Sequence, residues 1–217
     1  MDPSFWHERW NNEQIGFHLD YVHPLLKRYI GRLGQQASDN VFVPLCGKSN
    51  DLAFLNQYFN KVIGVELSEK AITDFAKEHS LKFEKSRSDQ FVYYINEDFE
   101  FYVGDYFAIG LSDLRNAQFV YDRASLIALP KELRLKYSAH MLSLLEKGAK
   151  ILLITLSYSQ NEMTGPPFSV SEEEVRVLYR NASDIDKLQC NSIIDKEPHF
   201  KSKGLSDLVE SAYLITV

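Results

Sequence analysis

Along the chain, short β-branched apolar runs alternate with longer stretches whose apolar residues recur every three or four positions, the signature of an α/β sheet. Residues 40–45 (NVFVPL) form the first apolar run, which stops at Pro44, whose missing N–H ends a ladder. Cys46-Gly47-Lys48-Ser49 reads as a tight turn, and residues 50–59 as a helix with Leu52, Phe54, Leu55 and Phe59 inward. Residues 61–67 (KVIGVEL) predict a second buried strand, after which Ser68 is placed to cap a helix to about His79. Residues 91–102 alternate as a hairpin turning at Asn96-Glu97-Asp98, and residues 100–103 return to Gly104-Asp105.

Residues 117–121 (AQFVY) are a further buried strand ending in Asp122-Arg123. Pro130 suits the start of a helix running to Leu145 and closed by Gly148. Residues 149–156 are the most apolar strand, predicted to be central. Ser171 followed by Glu174 makes a capping box for a helix to about Tyr179, and residues 188–194 and 212–217 read as two closing strands. The whole is a doubly wound α/β sheet in a three-layer sandwich.

Composition narrows the partners. A chain of 217 residues without a Gly/Ser-rich linker predicts one domain. Lys plus Arg is 24 against 30 for Asp plus Glu, giving a net charge of -6, which argues against a nucleic-acid binder. The basic groups Lys82, Lys85, Arg87 and Lys201, Lys203 are diluted by acids and serines and read as solvated helix faces. Cys46 and Cys190 form no CxxC pair, so neither a metal framework nor a disulfide is expected. Residues 1–9 are polar, and the longest apolar stretch, 151–156, is far below the ~20 residues of a membrane span. A cytoplasmic protein with no membrane partner is expected.

In a doubly wound sheet, ligands bind beyond the carboxyl ends of the strands, near the point where strand order reverses. That selects residues 44–49, Glu66, Gly104-Asp105, Asp122-Arg123 and residues 156–159. The turn after the first strand holds one glycine, Gly47, too few to cradle a pyrophosphate. Gly47-Lys48-Ser49 supplies only the end of a P-loop, since Phe42 stands where its first glycine is needed. Glu66 lies about twenty residues further on, where an acid accepts from the ribose hydroxyls of an adenosine cofactor. Its other reading is a carboxylate at a helix start, favoured by the dipole. A ribose acid beside a turn without pyrophosphate glycines favours an adenosine without phosphates, and S-adenosylmethionine is such a cofactor.

Asp105 suits an adenine-edge contact or a simple turn, and Asp122-Arg123 a cleft contact or a buried ion pair tying strand to helix. Trp6 and Trp10 lie at i, i+4 on an N-terminal helix, as core packing or as a cofactor lid. Other chemistries fail: HERWN (7–11) lacks the second His of a zincin, His18 and His23 miss helical pairing, and GxSxG is absent.

Together, FWHERW (5–10), IGFH (15–18), VPLCGKS (43–49), VIGVELS (62–68), YDRASLIAL (121–129) and GPPFSVSEEEV (165–175) resemble the thiopurine S-methyltransferases, with spacing closest to the bacterial branch. The resemblance implies a class I, Rossmann-like methyltransferase: a mostly parallel seven-stranded sheet in an αβα sandwich. It implies a single domain over residues 1–217, with 1–35 an N-terminal helical lid and 36–217 the catalytic sheet and helices. It makes Trp10, Leu45, Glu66, Asp105, Tyr106 and Arg123 contacts to S-adenosylmethionine. Phe17, Pro166, Pro167 and Phe168 would line the acceptor side. His199 would too, at a position where many relatives carry Arg, and its charge near neutral pH would bear on acceptor preference.

The implied reaction is an in-line methyl transfer, without metal, to the sulfur of an aromatic or heterocyclic thiol, with selenium or tellurium species as further acceptors. Arg123 would position the acceptor or steady its anion rather than remove a proton. The alternatives are a halide or thiol methyltransferase of the same superfamily and a non-catalytic S-adenosylmethionine-binding module. A monomer is expected.

Overall fold

The computed structural model describes residues 3–217; Met1 and Asp2, which open the polar N-terminal stretch, lie outside the described residues. The chain forms two compact units, one ending at Tyr121 and one running from Asp122 to Val217.

The first unit opens with helices α1 (Pro3–Asn11) and α2 (Pro24–Tyr29). Strand β1 (Asn40–Pro44), helix α3 (Asn50–Leu55), strand β2 (Lys61–Glu66) and helix α4 (Glu69–Glu78) follow. Then come β3 (Glu84–Arg87), β4 (Val92–Ile95), β5 (Phe99–Val103) and β6 (Phe119–Arg123), the last crossing the boundary between units. β1, β2 and β5 are buried almost throughout, as near-continuous apolar strands are when both sheet faces are covered. They pair in parallel, with Val41 opposite Val62 and Val62 opposite Phe99. Ser49 caps α3 by accepting from the Asp51 N–H at 3.2 Å. α3 is shorter than its apolar spacing predicts: it ends at Leu55, and turns carry Phe59 into the core through its N–H to the Leu55 carbonyl.

The basic cluster at 82–87 is not a helix face. Residues Glu84–Arg87 form β3, an edge strand exposed along its length and antiparallel to β4, with Glu84 opposite Ile95. A strand with one paired edge and no buried face needs no apolar residue, and its charges discourage further strands from adding.

The second unit contains α5 (Lys131–Ser143), β7 (Lys150–Ser157), α6 (Glu172–Leu178), β8 (Asp184–Ser192), α7 (Pro198–Ser202) and β9 (Val209–Thr216). Pro130 stands at the N-cap of α5, and Gly148, at φ +90, turns the chain into β7 while its N–H donates to the Val217 carbonyl. The two closing strands are a long antiparallel pair: Ile151 faces Ile215, and Asp184 faces Thr216 across β8 and β9.

The strands form one nine-stranded sheet in the order β3-β4-β5-β2-β1-β6-β7-β9-β8. The expected seven strands are exceeded by the β3-β4 hairpin, and the sheet is mixed, with antiparallel pairs toward both edges. β1 lies between β2 and β6 and is parallel to each, so strand order reverses there. The carboxyl end of β1 is therefore the place where such a sheet takes its ligand.

Candidate functional site

The turn after β1 bends through two left-handed residues, Leu45 at φ +46 and Gly47 at φ +54. Glycine adopts that conformation freely, whereas a leucine there costs on the order of 1–3 kcal/mol and marks a turn held in place by its surroundings. The hold comes from β2. The Cys46 N–H donates to the Val65 carbonyl at 3.0 Å, and the Gly47 N–H donates to Glu66 Oε2 at 3.0 Å.

The other oxygen of Glu66, Oε1, accepts from the Ser68 N–H at 2.8 Å. The Ser68 side chain makes no cap bond, contrary to its sequence reading, because the Glu66 carboxylate already occupies the start of α4. Glu66 is 7% exposed. Burial raises its pKa, and hydrogen bonds from Ser68, Gly47 and Leu67 only partly oppose the rise. Each carboxylate oxygen accepts in more than one direction, so these amides leave capacity for incoming hydroxyl donors. The helix-start role and the ribose role are thus compatible at one residue.

Trp10 covers this turn. It is 3% exposed, and a Cβ on Gly47 would lie 3.2 Å from its Cζ2. The predicted pair of indoles on α1 meets Phe17, with centroids 5.8 Å from Trp6 and 5.6 Å from Trp10, both edge-on. Phe17 keeps part of its ring exposed. Cys46 is buried with its Sγ over Gly64, where a Cβ would approach to 2.8 Å. Burial first, and then the charge of Glu66, push its thiol well up.

The Gly104 N–H donates to the Glu66 carbonyl at 2.9 Å and so brings the end of β5 beside the end of β2. Asp105, which follows, is exposed and accepts from the Phe107 N–H at 3.0 Å, fixing a 3-10 turn over Tyr106–Ala108. Tyr106 is buried and meets Phe107 edge-on at 5.3 Å. The first unit therefore gathers Trp10, Phe17, Leu45, Glu66, Asp105 and Tyr106 around adjoining strand ends.

Asp51 was not singled out by the sequence. It is 1% exposed and accepts from the His23 N–H at 2.7 Å and from the Tyr121 hydroxyl at 2.9 Å. An Asp in the first turn of a helix reads as a dipole partner. Nothing local shows that its other contacts come from 28 and 70 positions away.

In the second unit, Arg123 is the last residue of β6. Asp122 beside it is fully buried and accepts from the Tyr137 hydroxyl at 2.8 Å, so the tie from the strand end to α5 runs through a tyrosine. Burial raises the Asp122 carboxyl to about 6, against the opposing hydrogen bonds of Tyr137 and Ser125. Pro166, Pro167 and Phe168 lie half-buried in a loop with cis peptides at Gly165-Pro166 and Pro166-Pro167. The loop is fixed by the Tyr158 hydroxyl to the Pro167 carbonyl at 2.5 Å and the Phe168 N–H to the Ile127 carbonyl at 2.7 Å.

The predicted capping box is half formed: Ser171 Oγ accepts from the Glu174 N–H at 3.2 Å, but the Glu174 carboxylate turns to Arg134. His199 is exposed on α7, its ring edge-on to Phe200 at 5.7 Å. Among the described residues, no group of three or more His, Cys, Asp or Glu could hold a metal ion, and no helix is long and apolar enough to cross a membrane.

The family model described as Thiopurine S-methyltransferase matches residues 1–217. The thiopurine S-methyltransferase of Pseudomonas aeruginosa strain PAO1 is 44% identical over 215 residues, 99% of each chain. That of Shewanella pealeana is 40% identical over 213 residues, 98% of this chain and 97% of its own. Among solved structures, a SAM-dependent methyltransferase from Anabaena variabilis superposes with a TM-score of 0.64 at 16% identity, covering 99% of this chain and 94% of the other. The YcgJ protein from Bacillus subtilis gives 0.64 at 12% identity, covering 88% and 97%. At those identities the structures speak for the fold, while full-length similarity at 40% and above, together with the family match, speaks for descent. The chain belongs to the thiopurine S-methyltransferase family.

Proposed function

We propose that this protein transfers a methyl group from S-adenosylmethionine to the sulfur of an aromatic or heterocyclic thiol. One observation carries the cofactor end. Glu66 is a buried carboxylate at the end of β2, held by the amides of Gly47 and Ser68, beside a turn with a single glycine under the Trp10 indole. That buried acceptor suits the hydroxyls of a ribose, and the turn leaves no nest for a pyrophosphate. Trp10, Leu45, Glu66, Asp105, Tyr106 and Arg123 are assigned to the cofactor by their match to the family's motifs. Phe17, Pro166, Pro167, Phe168 and His199 are assigned to the acceptor on the same ground.

S-adenosylmethionine, when bound, supplies an electrophilic methyl group on a sulfonium. The task left to the protein is orientation and exclusion of water, which can account for most of the acceleration of such a displacement. Aromatic thiols are partly ionised near neutral pH, so Arg123 is assigned to orienting the acceptor and steadying its anion, with no dedicated base. The chain is proposed to work as one domain with residues 1–35 as its lid, as a monomer in the cytoplasm.

Methyl transfer to a panel of a thiopurine, thiophenol, selenite-derived species and halides tests this. Transfer to the thiols is expected, and Arg123→Ala is expected to lower kcat/KM for them by roughly tenfold or more. Methyl halide formation without thiol methylation would assign a halide enzyme, and calorimetric binding of S-adenosylmethionine without transfer to any thiol would assign a binding module.

A further inference from the structure

Arg134 is an arginine on α5 with 3% of its side chain exposed, far more buried than the residue type allows without a full set of partners. Its Nε donates to the Leu129 carbonyl at 2.8 Å. Its Nη1 donates to the Ser169 carbonyl at 2.9 Å and to the Glu174 carboxylate at 2.7 Å. The guanidinium carbon lies 5.9 Å from the centroid of the Phe168 ring. One planar group thereby joins the segment after β6, the 165–169 loop and the first turns of α6.

Phe168 has a second close neighbour in its own loop. Its ring lies against Gly165, where a Cβ would come within 2.6 Å of Cδ1, and Gly165 stands at φ +79. The backbone of Phe168 is tied to Ile127 at 2.7 Å. The ring thus meets both a glycine whose missing Cβ makes room for it and a buried cation, yet the residue stays half-exposed. A half-exposed aromatic ring fixed this firmly is suited to presenting a flat wall to a ligand.

We propose that Arg134 is a positioning residue that sets the acceptor selectivity of the enzyme by holding the Phe168 ring as one wall of the acceptor site. The inference rests on the assignment of residues 165–168 to the acceptor side. Lysine cannot replace the arginine in full: it keeps the charge toward Glu174 but lacks the planar fork and the face that meets the ring.

The test is the ratio of kcat/KM for 6-mercaptopurine to kcat/KM for thiophenol, because a bicyclic acceptor depends on the wall more than a single ring does. A variant that merely folds less well scales both values equally and leaves the ratio unchanged. Arg134→Met is expected to lower the ratio by roughly fivefold or more, with Arg134→Lys in between and S-adenosylmethionine affinity held within about twofold. Glu174→Gln, which removes the negative charge opposite the guanidinium, should move the ratio in the same direction and carries the test if Arg134→Met does not fold. An unchanged ratio in these variants, while Phe168→Leu shifts it, overturns the role of Arg134. An unchanged ratio in Phe168→Leu itself overturns the acceptor assignment of the loop, and the inference with it.

Discussion

The Trp10 indole rests on the α-carbon of Gly47, so close that a Cβ there would lie 3.2 Å from Cζ2. With φ at +54, Gly47 is glycine for two reasons, the backbone angle and the ring above it. Gly47→Ala is expected to cost about 1–2 kcal/mol in stability and to weaken S-adenosylmethionine binding, because the indole must move. Denaturant unfolding and calorimetric titration measure the two effects. Unaltered binding in the alanine variant would show that Trp10 does not shape the cofactor site.

Glu66→Gln keeps the shape of the side chain and replaces one oxygen by a donor. Both oxygens now accept from backbone amides, so the new amide group must face a donor and leave a buried N–H unpaired. The expected loss is about 1–3 kcal/mol of stability. S-adenosylmethionine should also bind at least roughly tenfold more weakly, since one hydroxyl acceptor is lost. A dissociation constant equal to that of the wild type would leave Glu66 a purely structural residue.

Asp122 makes stability depend on pH. Its carboxyl stands at about 6 in the folded protein against an ordinary 3.8. The folded state therefore binds more protons than the unfolded state between those values, and stability falls as pH rises through that window. The shift corresponds to roughly 3 kcal/mol. Asp122→Asn removes this slope, so the variant should gain on the wild type in thermal melts as pH goes from 4 to 7. Parallel melting curves for the two proteins across that range would refute the assignment.

Asp51 joins the backbone before α2 to the middle of β6 through Tyr121. Tyr121→Phe should cost about 1 kcal/mol and Asp51→Asn about 1–3 kcal/mol, with the double variant falling short of the sum. A double-mutant cycle by urea unfolding reads the coupling; full additivity would mean that the hydroxyl and the carboxylate do not act together.

Sequence pattern carried the fold wherever a strand is buried on both faces. β1, β2, β5 and β7 announce themselves as apolar runs because helices cover them. β3, with the sequence EKSR, has no buried position and so no pattern; only its pairing with β4 makes it a strand. Ser68 misled because a stronger acceptor two residues earlier takes its place at the helix start. The place of Glu66 at the carboxyl end of β2 was legible because the apolar run before it marks the strand. Asp51 and Arg134 were not, since Asp51 meets partners 28 and 70 positions away and Arg134, besides the nearby Leu129 carbonyl, partners 35 and 40 positions away, all brought together only by folding.

Cys46 gives the turn after β1 a sulfur of its own, and the proposed reaction methylates sulfur. Burial and the neighbouring Glu66 charge keep that thiol protonated, and the residue is only 6% exposed. Incubation with S-adenosylmethionine alone should therefore add no methyl group to Cys46, as intact-mass measurement would reveal. The carboxylate we assign to the ribose thus also helps hold the thiol of its own turn in the unreactive form, sparing the protein from the chemistry proposed for it.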